Sequence, residues 1–419
     1  MVAKGSVYMK AEIIAVGTEI LLGDIVNTNA QYLSKELASI GVEVYRQSTI
    51  GDNENRLLEA LEEAFKRSDV VITTGGLGPT TDDLTKETVC RYFNMNLVKH
   101  EESYIALKDY FDKANKTITE NNLKQVYFPE EAIVLANPNG TAPGAILEKD
   151  NKTVIILPGP PKEMKPMFDN YVKPYLSKFG EGIIKSKVLR VLGIGESSAA
   201  LKIKKYIDEG INPTVAPYAK QDDVIFRITA KSTTEEEADD LISPVEKEVK
   251  EILGVDCYGE GEETTIESVL VKLLLEKKLS IASAESCTGG MIASRLVSCS
   301  GVSEVFLEGA VTYSNEAKMR TLNVKESTLK SVGAVSRETA MEMAEGIAKR
   351  ASADIGIATT GIAGPGGGTA EKPVGLVYIG LYYKGNVNAF RYVFNGDRNN
   401  VRNRATVTAL DLVRRAIIE

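Results

Sequence analysis

The chain has 419 residues, of which 43% are hydrophobic and 26% are charged, and its formal net charge at pH 7 is -8. This length exceeds what a single hydrophobic core supports, so the composition predicts two or three globular domains. The acidic balance argues against a general nucleic-acid-binding protein, because such a protein needs a basic surface.

Several classes of protein and of site are excluded by what the sequence lacks. No apolar run reaches the roughly 20 residues that span a bilayer, and residues 1–9 have the character of a short extension without a signal-peptide core. The four cysteines form no CxxC pair, which indicates a reducing cytoplasm and neither structural zinc nor disulfides. The single histidine, His100, excludes a histidine-rich metal site, and it excludes a Ser-His-Asp triad from any domain that lacks it.

The first part of the chain alternates apolar strands with amphipathic helices. Strands are predicted over residues 11–16, 42–50 and 69–76, with shorter ones around the stretch 131–164, and helices over residues 28–41, 53–68, 82–93, 101–116 and 160–179. The helix over 82–93 begins with two acids, which suit the positive end of the helix dipole. This alternation predicts a parallel sheet with helices on both faces.

A small α+β unit and a third segment follow. The middle unit is predicted to have a strand over 187–195, two strands within 214–233, and helices over 196–210 and 234–254. The acidic, glycine-containing stretch 259–265 is predicted to be a linker. A second α/β domain then begins with a helix over 266–278 and continues to the end of the chain.

The stretch IASAESCTGG, residues 281–290, delivers Ser286 from an apolar strand into a glycine-rich turn before a helix. One later strand ends shortly before Tyr313 and Lys318, and another runs into the loop Gly361–Gly368. Parallel sheets bind ligands at the carboxyl ends of their strands, so we expect these three strand ends to form one site. Because burial lowers the pKa of a lysine, Lys318 can replace histidine as the base for Ser286, directly or through Tyr313.

Other interpretations of these residues stay open at the level of sequence. Ser286 could simply cap the following helix, since serine before a helix commonly bonds an orphan backbone donor. Cys287 is a second candidate nucleophile, because a thiolate needs less activation than an alcohol. A small buried cysteine packing under the helix is the structural alternative for that residue.

The motifs AESCTGG, VTYSNEAK, GAVS, TGIAGPGGG, EKPVG and GDR resemble, in this order, the nicotinamide-nucleotide amidase domain of the CinA (competence/damage-inducible) family over residues 262–419. The resemblance implies deamidation of nicotinamide mononucleotide to nicotinic acid mononucleotide and ammonia, without a cofactor. It implies three catalytic residues: Ser286, Tyr313 and Lys318. The substrate contacts would come from Glu285, Thr288, Gly289, Gly290, Thr360, Gly361, Gly364, Gly366 and Arg398.

Two parts of this predicted site would bind negative charge. Backbone N–H groups over residues 288–290 would hold the tetrahedral oxygen of the reaction, and the glycine loop with Thr360 would hold the 5′-phosphate. Arg398 is a further phosphate candidate, although it is equally suited to cap a helix or to face a partner subunit.

A glycine-rich turn, TTGGLGPTTDDLT over residues 73–85, follows a buried strand of the first domain. Its glycines permit a phosphate to approach the backbone, and Asp82 and Asp83 follow at the predicted helix start. Loops after other strands are expected to converge on this turn and to add Glu19, Asp24 and Asn27. Because bare carboxylates repel pyrophosphate, acids beside such turns indicate a bridging divalent cation. A tight loop with dipole-matched acids is the structural alternative.

These segments look like the molybdopterin-binding fold of molybdenum-cofactor biosynthesis proteins and, more closely, the N-terminal domain of the CinA family over residues 10–175. The resemblance implies an ADP-ribose pyrophosphatase that yields AMP and ribose 5-phosphate and uses Mg, Mn or Co. The metal-related residues would be Asp82, Asp83, Glu19 and Asp24. The substrate contacts would be Gly17, Thr18, Asn27, Gly75, Gly76, Gly78, Thr80, Gly140 and Gly159.

The middle unit resembles the KH-like module of the family, although LGIGES, residues 192–197, lacks the GxxG turn of an RNA-binding KH domain. Structural or dimer contacts are therefore favoured over nucleic-acid binding, and the family resemblance implies a homodimer. The expected architecture is two three-layer α/β domains, at 10–175 and 262–419, joined by an α+β module at 185–257.

The expected function is bifunctional pyridine-nucleotide salvage in the cytoplasm, since both implied substrates arise from the breakdown of NAD. The alternative is a pterin-binding protein, or an interaction protein associated with competence or DNA damage, whose first domain is not hydrolytic. The alternative stays open because a fold alone does not choose a ligand.

Overall fold

A computed structural model describes residues 9–179 and 182–418. Of the extension predicted over residues 1–9, all but Met9 lies outside these ranges. The described residues divide into two compact units, one formed by 9–179 and 182–185 with 230–241, the other by 186–229 with 242–418. Within the described ranges, no helix is both long enough and apolar enough to cross a membrane.

The first unit alternates strands and helices along the chain, as the sequence predicts. Its elements are β1 Lys10–Val16, α1 Thr18–Leu22, α2 Thr28–Ser39, β2 Glu43–Ile50, α3 Glu54–Ala64, β3 Val70–Thr74, α4 Thr85–Tyr92, β4 Val98–Lys99, α5 Glu101–Lys113, α6 Glu120–Leu123, β5 Tyr127–Phe128, β6 Ile133–Leu135, β7 Gly144–Lys149, β8 Lys152–Leu157, α7 Pro161–Met167 and α8 Lys173–Leu176.

A six-stranded sheet with the order β2-β1-β3-β8-β7-β6 forms the centre of this unit. The first four strands of that order are parallel, whereas β7 and β6 form an antiparallel edge. Successive residues of β1 enter different cores, because Ile13 packs with Leu33 while Ile14 packs with Leu57. The three-layer arrangement expected from the sequence is thus confirmed, and the antiparallel edge is an addition to it.

The KH-like module follows, with β9 Ile183–Val191, α9 Glu196–Lys202, α10 Lys204–Asp208, β10 Thr214–Ala219, β11 Val224–Ser232, α11 Glu235–Leu253 and β12 Cys257–Glu260. Its four strands form one sheet in the order β10-β11-β9-β12. The small α+β architecture agrees with the sequence prediction.

The C-terminal domain is the second three-layer α/β domain. Its elements are α12 Ile266–Lys277, β13 Ile281–Glu285, α13 Met291–Val297, β14 Phe306–Val311, α14 Asn315–Leu322, α15 Glu326–Ser331, α16 Arg337–Ala351, β15 Ile355–Gly361, β16 Leu376–Tyr383, β17 Asn386–Val393 and α17 Arg398–Ile418.

The sheet of this domain has the order β14-β13-β15-β16-β17, and only the first three strands are parallel. Ile281 faces the core that contains α17, and Ala282 faces the core that contains α16. Small residues bring α16 close to the sheet, since a Cβ on Gly380 would lie 2.0 Å from the carbonyl oxygen of Ala340. The parallel half of the sheet leaves three carboxyl strand ends at one edge.

Three predicted elements differ from the structure. Helix α4 begins at Thr85 instead of residue 82, because Asp83 accepts hydrogen bonds from the N–H and hydroxyl of Thr80 and so closes a turn. The helix predicted over 196–210 is divided at Ile203, where the backbone leaves helical geometry. The predicted linker 259–265 begins inside β12, and its Glu262 carbonyl accepts a hydrogen bond from Arg190.

Candidate active sites

The three parallel strand ends of the C-terminal domain meet as the sequence predicts. Directly after β13, the N–H of Ser286 donates to the carbonyl of Thr359 in β15 at 2.9 Å. Beyond β14, the N–H of Thr312 donates to the carbonyl of Glu285, also at 2.9 Å. These two bonds continue the ladders past the sheet and fix the backbone of Ser286 relative to both neighbouring strand ends.

Lys318, in α14, is almost completely buried, with 1% of its surface exposed. Its Nζ lies 3.2 Å from Ser286 Oγ and donates to the carbonyl oxygens of Thr312 at 2.9 Å and Tyr313 at 3.2 Å. Burial lowers the pKa of Lys318, because a charge is costly in a dry environment. In the neutral amine the two carbonyls take the two N–H bonds, so the nitrogen lone pair is left for the hydroxyl hydrogen of Ser286.

Cys287 is buried beside this pair and lies in the same hydrophobic cluster as Ile292. Burial raises the pKa of its thiol to about 11, so the thiol stays protonated near neutral pH. Since the thiolate is the nucleophilic form of cysteine, the environment of Cys287 favours packing over attack. The geometry therefore favours Ser286 as the nucleophile.

The phenol of Tyr313 is not part of the contact between Ser286 and Lys318. Its side chain is 65% exposed, and its hydroxyl lies 3.5 Å from Nη2 of Arg398. Among the described residues, the phenol makes no hydrogen bond to Lys318, so the suggested proton relay through it is not formed in this arrangement. Tyr313 instead contributes its main-chain carbonyl to the lysine.

Glu285, the last residue of β13, is 1% exposed, and its side chain lies at the start of α13. Its carboxylate accepts hydrogen bonds from the N–H groups of Gly290, Ile292 and Ala293 at 2.9, 3.1 and 2.9 Å. Two predicted substrate contacts, Glu285 and Gly290, thus bond one another here and stabilise the start of the helix. Ser286 is not the cap either, because Gly290 directly precedes α13.

Gly289 remains the candidate donor to a tetrahedral oxygen. It is exposed and has φ +62°, and its N–H has no protein acceptor in the part of the chain that the structure describes. Thr288 is fully buried, with its Oγ1 2.7 Å from Oγ1 of Thr359, while its carbonyl accepts from Arg402 at 2.9 Å. The hydroxyl of Thr288 thus fixes the turn and does not face a ligand.

The predicted phosphate loop divides into an inner and an outer part. Thr360 is buried, and its hydroxyl donates to the carbonyl of Ala334 at 2.7 Å, so it cannot donate to a phosphate as predicted. Gly361 packs against β16, since a Cβ there would lie 2.6 Å from the carbonyl of Leu376. Gly366, by contrast, is exposed and has open space around it.

Arg398, the first residue of α17, joins the outer part of this loop to Tyr313. Its Nη1 donates to the carbonyl of Gly364 at 2.8 Å, and no carboxylate within the described ranges forms an ion pair with it. A guanidinium without an acidic partner beside a glycine loop is suited to bind a phosphate. Arg398 and the Gly364–Gly366 segment are the anion-binding candidates of this edge.

A cavity of about 600 Å³ lies at the carboxyl ends of the parallel strands in the first unit. Among the predicted substrate contacts, those that line it are Gly17, Asn27, Gly75, Gly76, Gly78 and Gly159. The turn after β3 requires glycine, because Gly75 has φ +105° and a Cβ there would lie 2.1 Å from the carbonyl of Val16. The predicted convergence of loops on this turn is therefore observed.

Four predicted residues do not take part in this cavity. Both donors of Thr18 bond the carboxylate of Asp52, and both donors of Thr80 bond that of Asp83. These threonines are consumed in fixing their loops, while Asp24 and Gly140 lie outside the cavity lining.

Carboxylates are prominent around the cavity. Glu19, Asp82 and Asp83 line it, together with Asp52 and Glu163. Within residues 9–179 and 182–418, no three histidine, cysteine, aspartate or glutamate side chains are grouped closely enough to hold a metal ion by themselves.

Three family profiles together match almost the whole chain. They are "Probable molybdopterin binding domain" over residues 12–178, "Damage-inducible protein CinA KH domain" over 186–259 and "CinA C-terminal domain" over 263–417. A protein of Clostridium perfringens (strain ATCC 13124) described as competence-damage inducible is 61% identical, over 98% of this chain and 99% of its own length. The chain belongs to the CinA family.

Two further CinA proteins show the extent of the similarity. One from Clostridium beijerinckii (strain ATCC 51743) is 59% identical over 98% of this chain and 100% of its own. The crystal structure of the competence/damage inducible protein CihA from Agrobacterium tumefaciens shares 39% sequence identity and covers 38% of this chain and 99% of its own, with a TM-score of 0.35.

Two amides of the N-terminal cavity escaped the sequence analysis of this CinA-family chain. Asn29 is 8% exposed, and its Nδ2 donates to Thr74 Oγ1 at 3.0 Å and to the carbonyl of Gly159 at 2.7 Å. Gln125 is 3% exposed, and its Nε2 donates to the carbonyl of Leu77 at 3.1 Å. These carbonyls fix both amide orientations, and each amide oxygen is left buried without a partner.

Because buried acceptors are normally satisfied, these two unpaired oxygens are exceptions among the residues that line the cavity. Nothing in the local sequence distinguishes them from polar loop residues, since their burial depends on strand ends far away in the chain.

Lys124, beside Gln125, is a further residue that the sequence did not indicate. Its Nζ donates to the carbonyls of Thr80 and Asp83 and holds the turn.

The cap of α13 by Glu285 gives a testable stability prediction. Glu285→Gln replaces one of the two carboxylate oxygens by an amide N–H₂ group, which cannot accept a hydrogen bond from the backbone N–H groups of the helix. We therefore expect the free energy of unfolding to fall by about 1–3 kcal/mol. Urea denaturation followed by circular dichroism measures it. Glu338→Gln, at an exposed first-turn acid of α16, is the matched control and should change little. Equal effects of the two changes would contradict the capping role.

Proposed function

We propose that the C-terminal domain is an amidase that converts nicotinamide mononucleotide and water into nicotinic acid mononucleotide and ammonia. The observation that carries the proposal is the 3.2 Å contact between Lys318 Nζ and Ser286 Oγ, made by an amine that two carbonyls orient. Membership of the CinA family and the family resemblance of the surrounding motifs support the choice of substrate.

In the first half of the proposed reaction, Ser286 Oγ bonds to the carboxamide carbon while its proton passes to Lys318 Nζ. The carbonyl oxygen becomes an oxyanion, for which the N–H of Gly289 is the candidate donor in the turn. The C–N bond then breaks as the Lys318 ammonium returns the proton to the departing nitrogen. Ammonia leaves, and an ester joins the nicotinoyl group to Ser286.

In the second half, water adds to the ester carbon and gives a proton to Lys318. The bond between that carbon and Ser286 Oγ breaks, and the lysine returns the proton to the serine oxygen. The same amine thus acts as base and acid in each half, which its lowered pKa favours at neutral pH. Arg398 and the exposed backbone at Gly366 would bind the 5′-phosphate.

Variants of the lysine test this mechanism. Lys318→Met removes the base, and Lys318→Arg keeps a cation that cannot give up its proton, so both should lower kcat for ammonia release from nicotinamide mononucleotide by about 10²- to 10⁴-fold. Ser286→Ala should do the same. Lys330→Met, at an exposed lysine of α15, and Cys287→Ala are the controls that should retain activity. Loss of turnover in Cys287→Ala with activity retained in Ser286→Ala would make the thiol the nucleophile.

The pH profile of the wild type gives a second test. Only neutral Lys318 can accept the serine proton, so kcat/KM should fall as pH decreases through the pKa of this lysine. Because burial lowers that pKa, half-maximal activity should lie below the ordinary lysine value of about 10.4. A plot of log(kcat/KM) against pH should rise with unit slope and then level off. A profile that levels off only at or above the ordinary value would contradict the role of burial.

We further propose that the N-terminal domain is an ADP-ribose pyrophosphatase. The observation that favours it is the cavity of about 600 Å³ in which a glycine turn, suited to phosphate, adjoins the carboxylates of Glu19 and Asp82. Phosphates and carboxylates repel one another, so their combination calls for a cation between them.

The residues present fit such a cation. Mg²⁺ commonly uses one or two carboxylates and completes its shell with substrate phosphates and water, so a cluster of three protein ligands is not required. Asp82 and Glu19 would hold it, with Asp83 partly committed to Thr80. When bound, the ion would polarise a phosphoryl oxygen and neutralise negative charge. The N–H groups of the glycine turn would orient the pyrophosphate.

Release of AMP from ADP-ribose tests the second proposal. Activity should require added Mg²⁺, Mn²⁺ or Co²⁺ and be abolished by EDTA, and Asp82→Asn should lower it by at least about tenfold through loss of a ligand charge. Asp24→Asn is the matched control, because Asp24 is likewise an exposed loop aspartate but does not line the cavity. Full activity in EDTA would reject the metal requirement. Tight pterin binding without AMP release would favour the alternative of a non-hydrolytic domain.

A further inference from the structure

A second cavity of about 600 Å³ lies within the second unit and belongs to neither proposed active site. We call it the module cleft. One wall is the turn Gly193–Gly195 after β9, and another is the turn at 220–223 between β10 and β11. The opposite side consists of the end of β17 and of α17. Its volume is in the range of small-ligand sites.

The module cleft contains an aromatic pair. Tyr392 and Phe394 both line it, and their rings are stacked, with centroids 5.4 Å apart and planes inclined by 12°. Both side chains are only partly buried, so the pair presents aromatic surface to an occupant. Aromatic surface of this kind stacks a planar heterocycle, and such stacking tolerates any nucleobase because every base has a π face.

The acidic residues of the cleft are neutralised by partners. Asp222 pairs with Arg295 at 2.6 Å, Asp223 pairs with Arg190 at 2.8 Å, and Asp411 bonds both Arg414 and Arg415 at 2.7 Å. The carboxylates therefore leave little free negative charge in the cleft.

Two basic side chains of the cleft, unlike its carboxylates, have no oppositely charged partner among the described residues. Lys220 and Arg404 both line it and both are exposed, and neither forms an ion pair with any residue in the described ranges. In a chain with a net charge of -8, this leaves a locally positive site beside an aromatic surface. A planar ring and an anion are therefore the two features that an occupant needs.

We propose that the module cleft binds a mononucleotide, with the base on the Tyr392 and Phe394 surface and the phosphate bound by Lys220 and Arg404. The ligand is a free nucleotide and not a nucleic-acid strand, since a strand is held by a series of cations along its path and only two are available. This site is independent of both proposed activities and of the residues assigned to them.

Photolabelling of the full chain with 8-azidoadenosine 5′-monophosphate, followed by peptide mapping, tests the proposal. We expect label in the peptide that contains Tyr392 and Phe394, protection by excess AMP, and no protection by adenosine, which lacks the phosphate. The map separates this label from any in the N-terminal cavity, so failure of the pyrophosphatase proposal would not affect the result.

Variants with reversed charge test the role of the two basic residues in binding the phosphate. Lys220→Glu combined with Arg404→Glu should reduce this labelling by at least about tenfold, because two hydrogen bonds to a charged phosphate are lost. Arg391→Glu is the matched control, since Arg391 is an exposed neighbour of Tyr392 on β17 that does not line the cleft, and it should label like the wild type. An unchanged melting temperature of the double variant confirms that it is folded.

Three outcomes would overturn the proposal. They are label absent from the Tyr392–Phe394 peptide, equal labelling of the double variant and the wild type, and equal protection by adenosine and AMP. Protection by a short oligoadenylate at concentrations where AMP has no effect would likewise reject a free mononucleotide and assign the cleft to single strands.

Discussion

The burial of one amine is the constraint on which the C-terminal site depends. Lys318 can act as a base only if its surroundings disfavour the ammonium form, and a dry pocket does so because an unsolvated charge is costly. The same pocket must still bond the N–H groups of the amine, and the carbonyls of Thr312 and Tyr313 do this. Both carbonyls belong to the chain directly after β14, so the geometry of the base is set by the sheet itself.

The two domains place opposite charges at equivalent edges of their sheets. The N-terminal edge combines a glycine turn with ionised carboxylates, so it needs a cation before it can accept a pyrophosphate. The C-terminal edge contains Arg398, while its one buried acid, Glu285, is neutralised by three backbone donors. The second edge therefore offers an anionic group a positive charge from the protein itself. This difference follows from side chains, since both edges are built from parallel strands.

The fold and the meeting of strand ends could be predicted because hydrophobic periodicity reports which strands are parallel. Ser286 and Lys318 were recognisable for that reason, although 32 positions separate them. Hydrogen-bond partners could not be predicted, and they decide which polar residues remain available. Thr18, Thr80 and Thr360 looked like ligand contacts, yet each gives its donors to a loop. Asn29 and Gln125 looked ordinary, because only the assembled cavity leaves their oxygens unpaired.

The KH-like module and the C-terminal domain share a core. Leu192 and Tyr258 of the module lie in the same hydrophobic cluster as Leu410 of α17, and Arg415 donates to the carbonyl of Leu192 at 2.9 Å. The stretch between β12 and α12 is thus not a joint about which the module can swing. Severing the polypeptide there, at the boundary between the two family profiles, would expose the apolar surface that Leu192 and Tyr258 now cover.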